Sequence, residues 1–527
     1  MARGTRPNFL FIIADQLRSD HLGCYGNRVV RTPNIDAIAA RGFAADRFYV
    51  ACPICMPNRA TLMTGRMPSL HGVRHNGIPL SLSATNFVEL LRRAGYRTSL
   101  VGKSHLQNMT GNPPVWPRDP EERLALEARP DDGRYDQEWK PNWRARPDYD
   151  VSLPFYGFDR VHLTIEHGDD LEGHYRRWLR QQVPNADSLV GTENALPTPE
   201  LALAAFRQAW RTRLPEALHP TGYCATMSEA VLEDAARGDA PFFLMCSFAD
   251  PHHPFTPPGR YWDMYRPQDM ELPRSYRAGA DRAPPHVAAL RAERDAGRAV
   301  KHTPQLFACT EQEAREAIAL NYGSISFIDA AVGRLLARLE ALGLAENTVV
   351  IFTADHGDFM GDHQLLLKGP IHYRGIVEAP FLWHDPQKPQ NRRSDALCGT
   401  LDLAPTILAR ASVAPFNGIQ GRDLAPLFSG AARTHHADLL IEEEGQRPQV
   451  GFDSRVRMRS LITDRHRLSV YDGVPWGEIY DLANDPDELV NLWDDPASAG
   501  VRADLVIRLA RKMIALTDTS PYPTATA

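Results

Sequence analysis

Cys55, Pro57 and Arg59 stand within about one helical turn of one another. Their types put a nucleophile beside a permanent charge at the start of a helix. Pro57 is tolerated in a first helical turn because its missing N–H has no partner to lose there. Gly65 is a C-terminal cap, so the spacing predicts a helix over 57–63. A side chain at such a start meets free backbone N–H groups and the positive end of the helix dipole, which favour anions. Arg59 adds a fork of donors to the same place. Cys52 and Cys55 also form a C-x-x-C. No second such pair and no clustered His/Cys partner follows, so a zinc site lacks its ligands. A redox role for the pair has no other support in the chain.

Further polar residues recur at the ends of apolar runs. Asp15 and Gln16 follow the run 8–14; Lys103 and His105 follow 97–101; His252 and His253 follow 241–248; Asp355 and His356 follow 348–353. Lys368 comes after a Gly- and His-rich loop. Hard oxygen donors such as Asp15, Gln16 and Asp355 suit Ca²⁺, Mg²⁺ or Mn²⁺, and His356 as a ligand tilts the set toward Mn²⁺ or Zn²⁺. Arg59, Lys103, Lys368 and the histidines make the remainder cationic. A divalent cation ringed by cations is an anion site, so the expected substrate carries a tetrahedral oxyanion, a sulfate or phosphate ester. Asp358 and Asp362 read as supports of the Gly-rich loop. His372 and Tyr373, close to Lys368 in the chain, read as pocket-lining residues.

The apolar runs must be strands that bring these ends together. Unbroken runs such as 8–14 are those of central parallel strands, and ligands bind at the C-terminal edge of such sheets. Helices are expected over 33–41, 86–94, 173–182, 226–236, 310–342, 401–411 and 503–515, with further strands at 48–52, 379–383, 438–442, 456–463 and 466–471. The expected fold is α/β, a large mixed, mostly parallel sheet flanked by helices. A catalytic domain over 1–394 carries a long loop insertion at about 108–220, and a smaller C-terminal α+β subdomain covers 395–527. The insertion holds Trp116, Tyr135, Trp139, Trp143 and Tyr149, which points to an ordered lid or a homo-oligomer contact.

Composition narrows the function. The chain has 527 residues and a formal net charge of −6, which gives no hint of a nucleic-acid partner. Its seven cysteines are few, odd in number and not spaced as a disulfide framework, so a reducing, cytoplasmic compartment is expected. Cys24 and Cys246 read as core thiols. The run 9–14 is too short for a membrane span and has no cleavage site after it, so neither a membrane nor a leader is expected.

Cys55-Met56-Pro57-Asn58-Arg59 resembles the C-x-P-x-R signature of type I sulfatases in the alkaline phosphatase superfamily. The segments 8–16, 102–105, 251–254, 355–368 and 478–492 resemble that family in the same order, so the resemblance spans nearly the whole chain. It implies an alkaline phosphatase-like fold and a sulfate-ester hydrolase, arylsulfatase-like, with a divalent metal, Ca²⁺ or alternatively Mn²⁺. It also implies that a formylglycine-generating enzyme converts Cys55 to formylglycine, which then joins Asp15, Gln16, Asp355 and His356 as a metal ligand. One hydroxyl of the hydrated aldehyde attacks sulfur or phosphorus and expels the alcohol. Deprotonation of the other releases sulfate or phosphate and restores the aldehyde, nucleophilic catalysis in two easier steps. In that scheme Arg59 lies against the nucleophile, Lys103 orients it and His105 is the base. His252, in preference to His253, and Lys368 serve the leaving oxygen, and Asn76 is a minor substrate contact. Many sulfatases have two carboxylates where this chain has Asp15 and Gln16. The neutral ligand favours a more highly charged substrate and keeps phosphonate monoesters and phosphodiesters as the alternative, as in phosphonate monoester hydrolases. Lys103 and His105 match the sulfatases instead.

Overall fold

The computed structural model describes residues 6–115, 132–277, 283–388 and 391–525. Nine strands form one sheet: β1 (Asn8–Ala14), β2 (Phe43–Ala45), β3 (Arg97–Gly102), β4 (Arg160–Ile165), β5 (Glu172–Gly173), β6 (Phe242–Phe248), β7 (Thr348–Ala354), β8 (Phe381–His384) and β9 (Arg392–Ser394). Their spatial order is β9-β2-β8-β7-β1-β6-β3-β4-β5. The inner strands β7, β1, β6, β3 and β4 are parallel, while β8 and β5 run antiparallel to their inner neighbours. Every residue of β1, β6 and β7 is buried, as a strand covered on both faces requires.

Helices cover the sheet: α1 (Pro33–Arg41), α2 (Cys55–Thr64), α3 (Pro220–Ala235) and α4 (Glu311–Ala341). The last spans 31 residues and starts at a capping box. Thr310 Oγ1 accepts from Glu313 N at 3.3 Å, and Glu313 Oε2 accepts from Thr310 N at 2.9 Å. Its apolar stripe, Ile318, Ile325, Ile328, Val332, Leu335 and Leu339, is buried. After α5 (Leu403–Arg410), an antiparallel meander of β10 (Asp438–Glu444), β11 (Arg457–Thr463), β12 (His466–Tyr471) and β13 (Gly477–Asp481) forms the smaller C-terminal sheet. Leu505 and Leu509 of α6 (Ala499–Ala515) pack into its apolar face.

Several local expectations shift. β4 lies in the segment read as loop; its alternation of Arg160 and His162 with buried Val161 and Leu163 is the period of a strand. Helix α2 starts at Cys55, before 57, because the Ile54 carbonyl already accepts from Asn58 N at 3.1 Å. Cys24 is only partly buried, whereas Cys246 is a core thiol in β6. Of the insertion's aromatics, Trp116 lies outside the described residues. Trp143 and Tyr149 are buried against each other at 5.6 Å between ring centroids, so they serve the insertion's own core and not an exposed contact. Among the described residues no helix is long and apolar enough to cross a membrane.

The C-terminal sheet is tied to the loop after Lys368 through buried polar groups. His372 lies 3.0 Å from Glu443 Oε2 and 2.8 Å from Ser460 Oγ. Burial pushes the Glu443 carboxyl from 4.5 up to about 8, with Lys368 opposing. The native state therefore keeps a proton that the unfolded chain sheds above about pH 4.5, and stability falls as pH rises toward 8. Glu443→Gln should remove that part of the fall. The check is the wild-type-minus-variant difference in thermal midpoint at pH 5 and pH 8, which should change sharply between the two.

Candidate active site

Register aligns the strand ends. Ala14 pairs with Phe248 on one side and Ala354 on the other, so Asp15 and Asp355 leave the sheet side by side and Asp250 follows one residue beyond. Asp15 N donates to Asp250 O at 3.0 Å, and Asp355 N to Ala14 O at 3.3 Å. Lys103 N donates to Ser247 O at 2.9 Å. Gly102, at φ 103°, allows this approach, since a Cβ there would lie 1.9 Å from the Ser247 carbonyl oxygen. Gln16 and His105 hold left-handed backbone at φ 61° and 54°, a conformation that persists in such residues only where neighbours enforce it. Gln16 N donates to Asp355 Oδ1 at 3.0 Å, and His105 N to Glu138 Oε1 at 2.7 Å.

At the start of α2, Cys55 Sγ lies 2.9 Å from Lys368 Nζ, 3.1 Å from His356 Nε2 and 3.7 Å from Asp15 Oδ1. Lys368 Nζ also reaches Gln16 Oε1 at 2.9 Å and His252 Nε2 at 2.8 Å. Arg59 donates from Nε to Asp355 Oδ2 at 2.7 Å and from Nη1 to Lys103 O and Ser247 Oγ at 3.0 and 2.9 Å. Its Nη2 is buried, makes no hydrogen bond and lies 3.7 Å from Asp15 Oδ2. Lys103 Nζ bonds Asp15 Oδ2. His105 is buried with Nδ1 unpartnered. Asn76 Oδ1 accepts from Met56 N at 3.1 Å, inside the first turn of α2.

Protonation follows from this packing. Burial opposes ionisation of Asp15, but Lys103, His252, His167 and Arg59 outweigh it and hold the carboxyl well below its usual range. Burial lowers the basicity of Arg59, and Asp355 and Asp15 more than restore it. Burial, then the charge of Lys368, pulls His356 down to about 4. Burial, then Lys103, His167 and Arg59, push His105 well below its usual range; burial, His167 and Lys368 do the same to His252. The three imidazoles are neutral at pH 7.

The donor set fits a divalent cation. Asp15, Cys55, Asp355 and His356 each offer a ligand atom, all within 4.8 Å of one another. Two carboxylates, an imidazole and the nearby Gln16 amide oxygen suit a hard to borderline ion. Asp358 and Asp362 support the neighbouring loop as expected. Asp358 Oδ1 accepts from Met360 N and Leu367 N at 2.9 and 3.0 Å, while Asp362 bonds Arg18 and Ser275. Asp358 also bonds the Gln16 amide.

A cavity of about 1010 Å³ opens over Cys55, lined by His105, His252, Lys368 and Asn76. The insertion contributes Asn108–Thr110, Asn112–Val115 and Lys140, while β10 contributes Glu443 and the loop after it Arg447. His372 and Tyr373 do not line it. His372 is buried against Ser460 and Glu443, and Tyr373 stacks on His363 at 3.6 Å, while Gly369 and Pro370 take the lining positions.

A family model described as Sulfatase matches residues 7–413. The chain belongs to the sulfatase family. A second model, N-sulphoglucosamine sulphohydrolase, C-terminal, matches residues 361–515. An arylsulfatase of Clostridium perfringens is 28% identical over 501 residues, which cover 92% of this chain and 90% of that one. The multifunctional alkaline phosphatase superfamily protein PehA of Trinickia caryophylli is 27% identical over 526 residues, covering 95% and 94%. The crystal structure of the phosphonate monoester hydrolase of Agrobacterium radiobacter matches with a TM-score of 0.75 at 26% identity, over 98% of this chain and 97% of that one. The expected sheet architecture and the alkaline phosphatase superfamily are thus both found.

Two residues of this sulfatase site escaped the sequence reading. His167 follows β4, stacks on His252 at 3.7 Å and lies 2.6 Å from Lys103 Nζ. The strand-then-polar pattern at 160–167 repeats that of the other strand ends and could have revealed it. Glu138, fully buried in the insertion, has no local signal. It accepts from His105 N at 2.7 Å and Gln107 N at 2.6 Å, and burial raises its carboxyl to about 7. Glu138→Ala would strand two buried donors, at about 1–3 kcal/mol each. Glu138→Gln keeps an acceptor for one of the two amides and should cost about half as much. Urea unfolding of both variants beside the wild type measures the order.

Proposed function

We propose that this sulfatase-family chain is a metal-dependent hydrolase of sulfate esters, arylsulfatase-like, whose nucleophile is a formylglycine made from Cys55. The observation that carries the reading is the set of contacts at Cys55. Its Sγ meets Lys368, His356 and Asp15 together, while Arg59 Nη2 and His105 Nδ1 stand buried without partners. Buried polar atoms left unpaired are costly, and both belong to groups that a tetrahedral oxyanion and its nucleophile would engage.

A divalent ion, Ca²⁺ or Mn²⁺, held by Asp15, Gln16, Asp355, His356 and the converted residue 55, supplies positive charge beside the nucleophile and the ester oxygens. The side chains do the rest. Arg59 Nη2 and Lys103 offset charge that builds on the non-bridging oxygens. His105, neutral and free at Nδ1, takes the proton whose removal lets the covalent ester collapse to aldehyde and sulfate. Lys368, already in contact with both residue 55 and His252 Nε2, donates toward the leaving oxygen together with His252. Asn76 fixes the first turn of α2 through Met56 N and lines the cavity where the leaving group sits. A formylglycine-generating enzyme is the maturation partner, and the seat of the reaction is cytoplasmic.

Gln16 favours a second reading, a phosphonate monoester hydrolase or phosphodiesterase with the same centre. A neutral amide replaces a carboxylate beside the ion, and the Agrobacterium radiobacter structure is similar over 98% of the chain.

Three measurements test these assignments. Rates on an aryl sulfate and an aryl phosphonate monoester, taken on one preparation, should favour the sulfate in kcat/KM; a large preference for the phosphonate would select the second reading. Mass spectrometry of the peptide containing residue 55, after co-expression with the maturing enzyme, should show the aldehyde. Only thiol there would count against both readings. Cys55→Ala should abolish turnover with the fold intact by circular dichroism.

A further inference from the structure

Asp402, His435 and His436 form a second cluster that shares no residue with the active site. Asp402 ends the short turn Thr400–Asp402 that leads into α5, and the two histidines precede β10. One atom of each lies within 4.8 Å of the others. His436 Nε2 is 3.0 Å from both Asp402 oxygens, and His435 Nε2 is 3.5 Å from Oδ1. The aspartate is fully buried, and the histidine side chains are only 7% and 9% exposed.

An ion pair between Asp402 and a protonated His436 would account for half of this arrangement. It leaves His435 Nε2 poorly paired, for that nitrogen is buried and faces the same carboxylate at 3.5 Å, too far and too poorly aligned for a good hydrogen bond. We propose that the three residues bind one zinc ion. Zinc bonds of about 2.0–2.1 Å in tetrahedral geometry place ligand atoms roughly 3.3 Å apart, between the two separations found. Two imidazoles and a carboxylate are donors that zinc accepts. The carboxylate is held for the task from outside: Oδ2 accepts from Gly399 N at 3.0 Å and Oδ1 from Arg422 N at 2.8 Å, the kind of support that orients metal-binding carboxylates. Each oxygen keeps a lone pair for the ion.

The site braces the nucleophile helix. Thr400 Oγ1, in the same turn as Asp402, accepts from Ala51 N at 3.0 Å and donates to Asn58 Oδ1 at 2.8 Å. Asn58 Nδ2 in turn donates to Asp355 O at 2.5 Å. An ion at Asp402 therefore stiffens the turn that holds the base of α2 against the end of β7.

Crystals of the full chain grown with stoichiometric Zn²⁺ test this without any variant. Anomalous scattering at the zinc edge should give a peak among Asp402, His435 and His436. Zinc found solely among Asp15, Asp355 and His356, or an ion of another element among Asp402 and the histidines, would overturn the assignment. In parallel, zinc content after dialysis against equimolar Zn²⁺ should fall by one equivalent from wild type to H435Q/H436Q, with both samples folded by circular dichroism. Equal content in the two would also overturn it.

Discussion

The buried charge at the C-terminal edge of the sheet is the constraint on which the rest depends. Asp15 and Asp355 are fully buried carboxylates, and burying a charge is costly unless it is paired. Arg59 binds Asp355, Lys103 binds Asp15, and both cations are themselves buried. Three parallel strands in fixed register, a helix beginning at Cys55 and the glycine at 102 are needed to bring these groups together. Each element is specified by what it must deliver. β1, β6 and β7 are buried along their length because helices cover both faces, and they become polar within one or two residues of the sheet's edge, at Asp15, Asp250 and Asp355.

The same packing separates the roles of the ionisable groups. Asp15 stays charged because cations surround it, while His105, His252 and His356 stay neutral because burial and nearby cations discourage another positive charge. One neighbourhood thus offers anionic ligands for a metal, fixed cations for an anion and neutral bases for proton transfer. That combination suits a reaction in which a negatively charged ester is attacked and its charge redistributed.

The cavity's walls come from segments far apart in the chain. The insertion contributes Asn108–Thr110, Asn112–Val115 and Lys140, while β10 contributes Glu443 and the loop after it Arg447. The smaller sheet therefore helps to wall the cavity over Cys55 as well as to complete the fold. The His372–Glu443 contact couples it to the loop that carries Lys368.

Much of the centre was legible in the sequence. A parallel strand shows as an unbroken apolar run, and its C-terminal neighbour is where a ligand must be met, so Asp15, Lys103, His252 and Asp355 could be read directly. Pro57 and Gly65 marked the helix that carries Cys55. These are local signals, set by backbone hydrogen bonding and burial within a few residues. His167 was hidden because its short strand lies inside a long irregular segment. Glu138 was hidden because nothing near it in the chain shows that its carboxylate will cap the backbone at His105. His372 and Tyr373 were misplaced because nearness to Lys368 in sequence does not fix which way a loop turns its side chains. The sequence by itself determined which residues stand at the strand ends and what chemistry their types permit. Only the tertiary structure decided which of them touch, which are left unpaired and which walls enclose them, because those depend on register and packing between segments hundreds of residues apart.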